Sequence, residues 1–272
     1  MAKVIAILTS KGGVGKTQTA LEVAAALSRS ENKVLCIDMD GQRNLSGRVG
    51  CNLKAKNIYD CLDIDTDMTK EEVFELIDSA IQHCEECDII CGSTKLSKAD
   101  KVFSDKDDIF LLRNFIKILE RKKYDYIIID NPPARNIASD MSIIAGDYAL
   151  LISDGSKDAR QGIEYVLDDI QAYRSDERAN WTHIQVLGII MTKVRSNTIH
   201  YQATGDLYED VIIKKIQDKG LGKDVFFDTV CEAIEVMQAG NKGQSCQKYK
   251  PYGNVARDYR RVTTKIVERM PY

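Results

Sequence analysis

The chain has 272 residues, 29% of them charged and 44% hydrophobic, with a formal net charge of −3. That balance belongs to ordinary globular proteins and excludes collagen-like and disordered classes. No cleavable signal is legible, and no apolar run approaches the ~20 residues needed to cross a bilayer.

The length fits one large α/β domain or two smaller ones. With no repeat and no low-complexity linker, we expect one domain over 1–272. The eight cysteines sit mostly in apolar or helical segments without a disulfide-scaffold pattern. Together with the loop described next, this predicts reduced thiols and a cytoplasmic protein.

The first element is a strand over 3–9, with Val4, Ile5, Ala6, Ile7 and Leu8 as its apolar run. It leads straight into the loop, so we expect no operator-reading module ahead of it. Ser10-Lys-Gly-Gly-Val-Gly-Lys-Thr17 follows. This is nearly the phosphate-binding pattern G-x-x-x-x-G-K-[ST], except that Ser10 replaces the first glycine and Lys11 adds a cation. Gly12, Gly13 and Gly15 let the backbone N–H groups curl towards an anion. Lys16 supplies the charge for β- and γ-phosphates, and the Thr17 hydroxyl suits Mg²⁺. A helix over 16–29 follows, carrying Ala20, Leu21, Val23, Ala24, Ala25 and Leu27, and its N-terminus adds to anion binding. A dinucleotide reading fails, because Gln18 stands where the third glycine belongs. Lys11 has no obvious task within one copy; it makes sense if it reaches the nucleotide of a second.

The second strand, 33–38, runs into Asp38-Met39-Asp40, and period-2 geometry puts both carboxylates on one side. Residues 42–70 read as a polar, irregular excursion with short helical pieces, followed by a helix over 71–83. Cys84, Cys87 and Cys91 have C-x₂-C-x₃-C spacing around a strand over 87–91, which is ligand-like. Yet Cys91 ends an apolar strand and no fourth cysteine is near in sequence, so small packed residues are the simpler reading. A helix over 106–122 precedes the strand 125–130, where Tyr126-Ile127-Ile128-Ile129 ends in Asp130 and then Asn131-Pro132-Pro133. Four apolar residues followed by an aspartate form the second Mg²⁺-site motif of phosphate-loop enzymes.

Strands over 148–153, 184–191 and 224–227 alternate with helices over 157–174, 198–218, 231–239 and 254–269. Thr192 and Lys193 close the penultimate strand and are candidates for base or ribose contact. The alternation predicts a three-layer α/β fold: a mostly parallel twisted sheet, helices on both faces, ligands at the strands' C-terminal ends. From Lys242 to Tyr272 eight Lys/Arg face two acids, whereas the rest of the chain is net acidic. A basic end on an acidic body points to a polyanion partner.

These motifs together resemble the deviant-Walker ATPases of the ParA/MinD superfamily, which are SIMIBI-like P-loop NTPases, and most of all the ParA/Soj partition ATPases. Asp38-Met-Asp-Gly-Gln-Arg-Asn-Leu-Ser46 is similar to their D-x-D-P-Q-x-N-x-[ST] segment, and Tyr124-Asp-Tyr-Ile-Ile-Ile-Asp-Asn-Pro-Pro133 to their Y-D-[YF]-I-[IL]-I-D-x-P-P segment. Weaker likeness continues through Gly188-Ile-Ile-Met-Thr-Lys193 and the last helix. The resemblance implies ATP and Mg²⁺ as cofactors, with Lys11, Gly12, Gly13, Val14, Gly15, Lys16, Thr17 and Gln18 around the nucleotide. Lys16 would serve its own subunit and Lys11 the partner's phosphates in a sandwich homodimer. Thr17 would ligate Mg²⁺, Asp38 and Asp130 would support its shell, and Asp40 would position the attacking water. It further implies nonspecific DNA binding in the ATP state, a ParB-like adaptor protein and a nucleoid-associated location. Candidate DNA contacts are Arg195, Lys248, Lys250, Arg257, Arg260, Arg261 and Lys265.

Two departures stand out. Gly41 replaces the family's common proline, which predicts a looser switch segment. The usual Ile-Pro-Arg is absent near Asp228-Thr-Val-Cys-Glu232, where relatives frame adenine and contact DNA. An alternative is a MinD-like membrane-surface ATPase. The last helix has an apolar stripe (Val255, Tyr259, Val262, Ile266, Met270), but it lacks bulky Leu, Phe or Trp, so docking on the core is expected and membrane binding is not. A metal-cluster carrier is the third reading, although such relatives place their cysteines elsewhere.

Overall fold

The computed structural model describes residues 1–65, 67–175, 181–195 and 206–270. One eight-stranded sheet runs through it in the order β3-β4-β2-β5-β1-β6-β7-β8. The strands are β1 Lys3–Leu8, β2 Val34–Asp38, β3 Ile81–His83, β4 Asp88–Ile90, β5 Tyr126–Asp130, β6 Tyr148–Ser153, β7 Gln185–Val194 and β8 Phe226–Cys231. Every neighbouring pair is parallel except β3 with β4. The expected α/β architecture is therefore present.

Helices α1 Lys16–Ser28, α2 Asn44–Arg48, α3 Ile58–Leu62, α4 Lys70–Ala80, α5 Ala99–Val102, α6 Leu111–Leu119 and α7 Ile137–Ala145 occupy the first half. The second half holds α8 Lys157–Ser175, α9 Lys214–Asp218, α10 Ile234–Asn241, α11 Cys246–Tyr249 and α12 Asn254–Glu268. Strand alternation divides the core. Ile5 and Ile7 pack with Leu21, Ala24, Val255 and Tyr259 on the side of α1 and α12. Val4 joins α3, α4, α6 and α7 on the other side, and Ala6 and Leu8 join α8 there.

Four expectations change in detail. The helix predicted to reach residue 83 stops at Ala80, and Ile81–His83 becomes an antiparallel edge strand. The stretch between Asp130 and Tyr148 contains α7, which was not predicted. Its residues Ala138, Met141, Ser142, Ile143 and Ile144 are all buried, so no amphipathic period shows. The predicted strand over 224–227 lies instead at Phe226–Cys231, which delays the next helix to Ile234. The excursion over 42–70 keeps its expected short helical pieces, as α2 and α3, and the N-terminus of α3 is closed by a capping box between Asn57 and Asp60. Of the helix expected over 198–218, residues 198–205 lie outside the described residues; the rest is a π-helical run, Tyr208–Ile213, leading into α9.

The order of strands matters for function. β1 lies between β5 and β6, while the chain leaving β1 through α1 proceeds to β2, beyond β5. The sheet changes direction at β1, and the loop after it opens onto the C-terminal edge, where α/β proteins bind ligands.

Candidate active site

Residues Thr9 to Lys16 wrap the end of β1. Gly13 and Gly15 have φ of 76° and 97°, left-handed values that a side chain would strain. Gly15 is also pressed by Thr192, whose side chain would lie 3.4 Å from an added Cβ. Lys16 is buried inside the loop, its Nζ donating to the carbonyls of Lys11 (2.9 Å) and Thr9 (3.3 Å). Burial lowers its pKa to about 8, against the opposing pull of Asp130 and Asp40.

Lys11 points elsewhere. Its Nζ donates to Ser156 Oγ at 2.6 Å and pairs with Asp154 Oδ2 at 3.3 Å. Burial opposes ionisation of Asp154, but bonds from Ser156 and Lys11 outweigh it and hold the carboxyl below its ordinary pKa. The two lysines of one loop thus have separate addresses, one inward and one at the rim.

The three aspartates converge at the ends of β2 and β5. Asp38 pairs in register with Asp130. Asp38 is fully buried and satisfied: Oδ1 accepts from the Asp40 N–H at 3.0 Å, and Oδ2 from the Ser46 N–H and hydroxyl at 2.9 and 2.6 Å. Burial raises its pKa to about 6 in spite of these bonds. Asp40 accepts from the Gln42 N–H at 2.9 Å. Asp130 is different. It is fully buried, and neither carboxylate oxygen has a hydrogen-bond partner. Burial, then the charge of Asp38, push its pKa well up, while the nearby Thr17 hydroxyl and Lys16 oppose them. A buried carboxylate with no well-formed hydrogen bond, only a nearby threonine hydroxyl and a lysine whose Nζ bonds elsewhere, is the environment a hard cation would complete.

Thr192 and Lys193 do reach the loop. Thr192 Oγ1 donates to the Val14 carbonyl at 2.6 Å, and Lys193, itself left-handed at φ 58°, donates to the Gly13 carbonyl at 2.6 Å. They border a cavity of about 380 Å³ with Gly15, Gln18, Val230, Ala233, Met237 and Tyr259, an apolar space beside the phosphate loop. Gln18 is turned away from the loop's mouth: its amide donates to Glu22 at 2.6 Å and its carbonyl accepts from Arg48.

Several contributors escaped sequence reasoning. Asp154 directly follows β6 and Ser156 lies two residues further on; an acid just past a parallel strand's C-terminal end is the signal that could have found Asp154. Ser46 clamps Asp38 and also accepts from the Gly92 N–H at 2.9 Å. The expected looseness at Gly41 is corrected. A Cβ there would lie 2.3 Å from Ser97 Oγ and 2.4 Å from its backbone nitrogen, so glycine permits close packing. The cysteine spacing does not gather one site: Cys87 Sγ faces Cys36 Sγ at 3.6 Å, while Cys84 and Cys91 meet Cys51. Among the described residues no group of three or more His, Cys, Asp or Glu is arranged to hold a metal ion. Mg²⁺ at a phosphate site needs only one or two carboxylates besides phosphate and water.

The basic candidates are largely paired. Arg261 and Lys265 share Asp228, Lys250 pairs with Glu235 at 3.0 Å, and Lys248 and Arg195 pair with Glu85 and Glu232. Arg260 bonds Gln247 and Arg257 bonds Asn254. The stripe of the last helix is buried: Val255, Tyr259, Val262, Ile266 and Met270 are each at most 3% exposed. No helix among the described residues is long and apolar enough to cross a membrane.

A glycine loop between β1 and α1 at the sheet's switch point, with aspartates ending the adjacent strands, defines a P-loop nucleotide-binding α/β protein. More narrowly, the family described as an AAA domain matches residues 2–183, and the chain belongs to it as a ParA/MinD-type ATPase. An uncharacterized Methanocaldococcus jannaschii protein is 33% identical over 195 residues, 70% of this chain and 73% of its own. The Bacillus subtilis sporulation initiation inhibitor protein Soj is 26% identical over 95% of this chain and 96% of its own. Among solved structures, Cyanothece apo McdA has a TM-score of 0.77 at 22% identity, covering 98% of this chain and all of that one. A putative plasmid partition protein from Borrelia burgdorferi bound to AMPPNP has a TM-score of 0.75 at 22% identity, covering 99% and 100%.

Proposed function

We propose that this ATPase is a dimerising switch: ATP assembles a sandwich homodimer, the dimer holds nonspecific DNA, and a ParB-like partner triggers hydrolysis during DNA partition. One observation carries the dimer. Lys16 fills the loop's interior, and Lys11 of the same loop sits at the rim, held by Asp154 and Ser156, outside its own phosphate position, from where release would let it reach a second copy.

Within the site, Lys16 and the backbone N–H groups of Gly12 to Thr17 bind the β- and γ-phosphates. Thr17 and the unpartnered Asp130 would hold Mg²⁺, with Asp38 adding negative charge from a position locked by Ser46. Bound there, the ion would neutralise phosphate charge. Asp40 positions water for attack, and Lys11 of the opposite subunit completes charge neutralisation, since positioning and electrostatics do most of the work in phosphoryl transfer. The cavity beside Thr192 and Lys193 suits the base.

The DNA reading draws on the basic end of the chain and on the likeness to partition proteins. Exposed ion pairs are worth only ~0–1 kcal/mol, so phosphates can replace the exposed carboxylates Glu85 and Glu232 as partners of Lys248 and Arg195, whereas Lys250, Arg261 and Lys265 stay with the buried Glu235 and Asp228. The buried stripe of α12 argues against the MinD-like membrane alternative. The test is co-sedimentation with DNA and, separately, with anionic liposomes, each with ADP and with ATP across a salt series. We expect ATP-dependent DNA retention that falls steeply with salt and no liposome binding; liposome binding without DNA retention refutes the proposal.

A further inference from the structure

Five of the eight cysteines converge on one face of the sheet at its β4 edge. Cys87, Ile89 and Cys91 alternate onto the face that packs against α1, and Cys36 lies opposite Ile89 in the β2–β4 register. Gln82 pairs with Ile89 across β3–β4, which places Cys84, two residues on, on the same face; the Cys84 N–H donates to the Cys87 carbonyl at 3.2 Å.

Cys51 arrives from a distant part of the chain, and Gln82 anchors it. The Gln82 side chain accepts from the Asn52 N–H at 2.8 Å and donates to the Asn52 carbonyl at 3.1 Å and to Cys91 Sγ at 3.2 Å. The Cys51 thiol consequently meets those of Cys84 and Cys91. Access separates the thiols: Cys36 and Cys91 are buried, whereas Cys51 and Cys84 are each partly exposed. The Cys51 thiol, against the opposing effect of burial, holds the Cys84 thiol below its ordinary pKa, which makes Cys84 the readier nucleophile.

We propose that Cys51 and Cys84 are a redox-active pair that a hydroperoxide converts to a reversible disulfide, latching the segment after Asp40 to the β3–β4 edge. The Cys84 thiolate attacks the peroxide O–O bond, takes one oxygen as a sulfenic acid, and the other oxygen leaves as water. The Cys51 sulfur then attacks the Cys84 sulfur; the S–O bond breaks, the S–S bond forms and a second water leaves. Two thiols and one hydrogen peroxide give one disulfide and two waters, and the two electrons end on the peroxide oxygens. The latch acts on a short tether. The Cys51 N–H donates to the Ser46 carbonyl at 3.1 Å, and Ser46 is the residue that clamps Asp38.

The test treats the full chain with hydrogen peroxide, alkylates it under denaturing conditions and maps peptides by mass. Expected are a loss of two hydrogens, a cross-linked peptide pair containing Cys51 and Cys84, and full reversal by dithiothreitol. Cys51→Ser removes the cross-link and leaves Cys84 trappable by dimedone; Cys84→Ser removes both. Hydrogen exchange of residues 44–52 slows about tenfold in the oxidised chain. Alkylation of all eight thiols after peroxide, a cross-link between Cys36 and Cys87 instead, persistence of the cross-link in Cys51→Ser, or unchanged exchange overturns the proposal. None of these readouts depends on ATP hydrolysis or on DNA.

Discussion

Asp154→Asn should tighten ATP-dependent dimerisation. In the monomer Lys11 is held by Asp154 at 3.3 Å and Ser156 at 2.6 Å, with side-chain exposures of 26% for Lys11 and 22% for Asp154. A lysine that must reach a partner's phosphate first leaves this perch, so only the released fraction is competent and apparent affinity falls by that fraction. A partly exposed ion pair is worth about 1 kcal/mol, roughly fivefold in an equilibrium constant. Two lysines leave per dimer, so the dimer Kd should tighten by between about fivefold and thirtyfold. The Ser156 bond remains in the variant, which favours the lower part of that range. The assay is sedimentation velocity with ATP in an Asp40→Ala background, where the assembled state persists. Removing a carboxylate at the rim also eases the approach of a triphosphate, so ATP binding by the monomer is titrated in parallel, with and without Asp154→Asn, in the Lys11→Ala chain that does not dimerise. A dimer Kd that tightens no more than monomer ATP affinity does, or not at all, would refute the perch.

Other outcomes follow from the same geometry. Lys11→Ala should abolish ATP-dependent dimers in sedimentation while leaving monomer nucleotide binding intact by fluorescence titration; Asp40→Ala should bind, dimerise and fail to release phosphate. Gly41→Ala should cost about 1–3 kcal/mol in urea unfolding, because its Cβ would fall within 2.4 Å of the Ser97 backbone; an unchanged midpoint would show that the 93–98 segment yields freely. Glu22 is buried, and burial raises its pKa from 4.5 to about 7. The folded state therefore binds more protons than the unfolded state between those values, and stability falls as pH rises through the window. The contribution is about 3 kcal/mol at full extent, and Glu22→Gln should flatten that part of the stability–pH curve.

The sheet and its loop were legible because their signals are local. Apolar runs bounded by glycine and aspartate specify β1, β2 and β5, and Ser10–Thr17 carries its chemistry in consecutive residues. The convergence of Asp38 with Asp130 followed from two acids placed at parallel strand ends. Non-local features were not legible. Nothing near Lys11 in sequence names Asp154 or Ser156 as its resting partners. Gly41 looked like a loosening substitution until Ser97, 56 residues on, proved to occupy the space. Cys51 and Cys84 are 33 apart in sequence and meet only through the β3–β4 edge, of which β3 was hidden in the end of a predicted helix while β4 was expected. The charges of the last helix read as free cations, yet Arg261 and Lys265 already share Asp228.

The helix that opens the nucleotide loop is roofed by the far end of the polypeptide. Thr19 meets the Tyr259 hydroxyl across 240 positions, and Glu22 accepts from the Cys246 N–H across 224. During synthesis on a ribosome, β1, the loop and α1 emerge more than 200 residues ahead of the α11 and α12 segments that cover them. A chain made only as far as β8 therefore displays the Glu22 carboxylate and part of the apolar face of α1 to solvent, and competence to bind nucleotide comes late, after α11 and α12 have been made. Loss of residues 246–270 should thus disable a loop more than 200 positions away without touching one of its atoms.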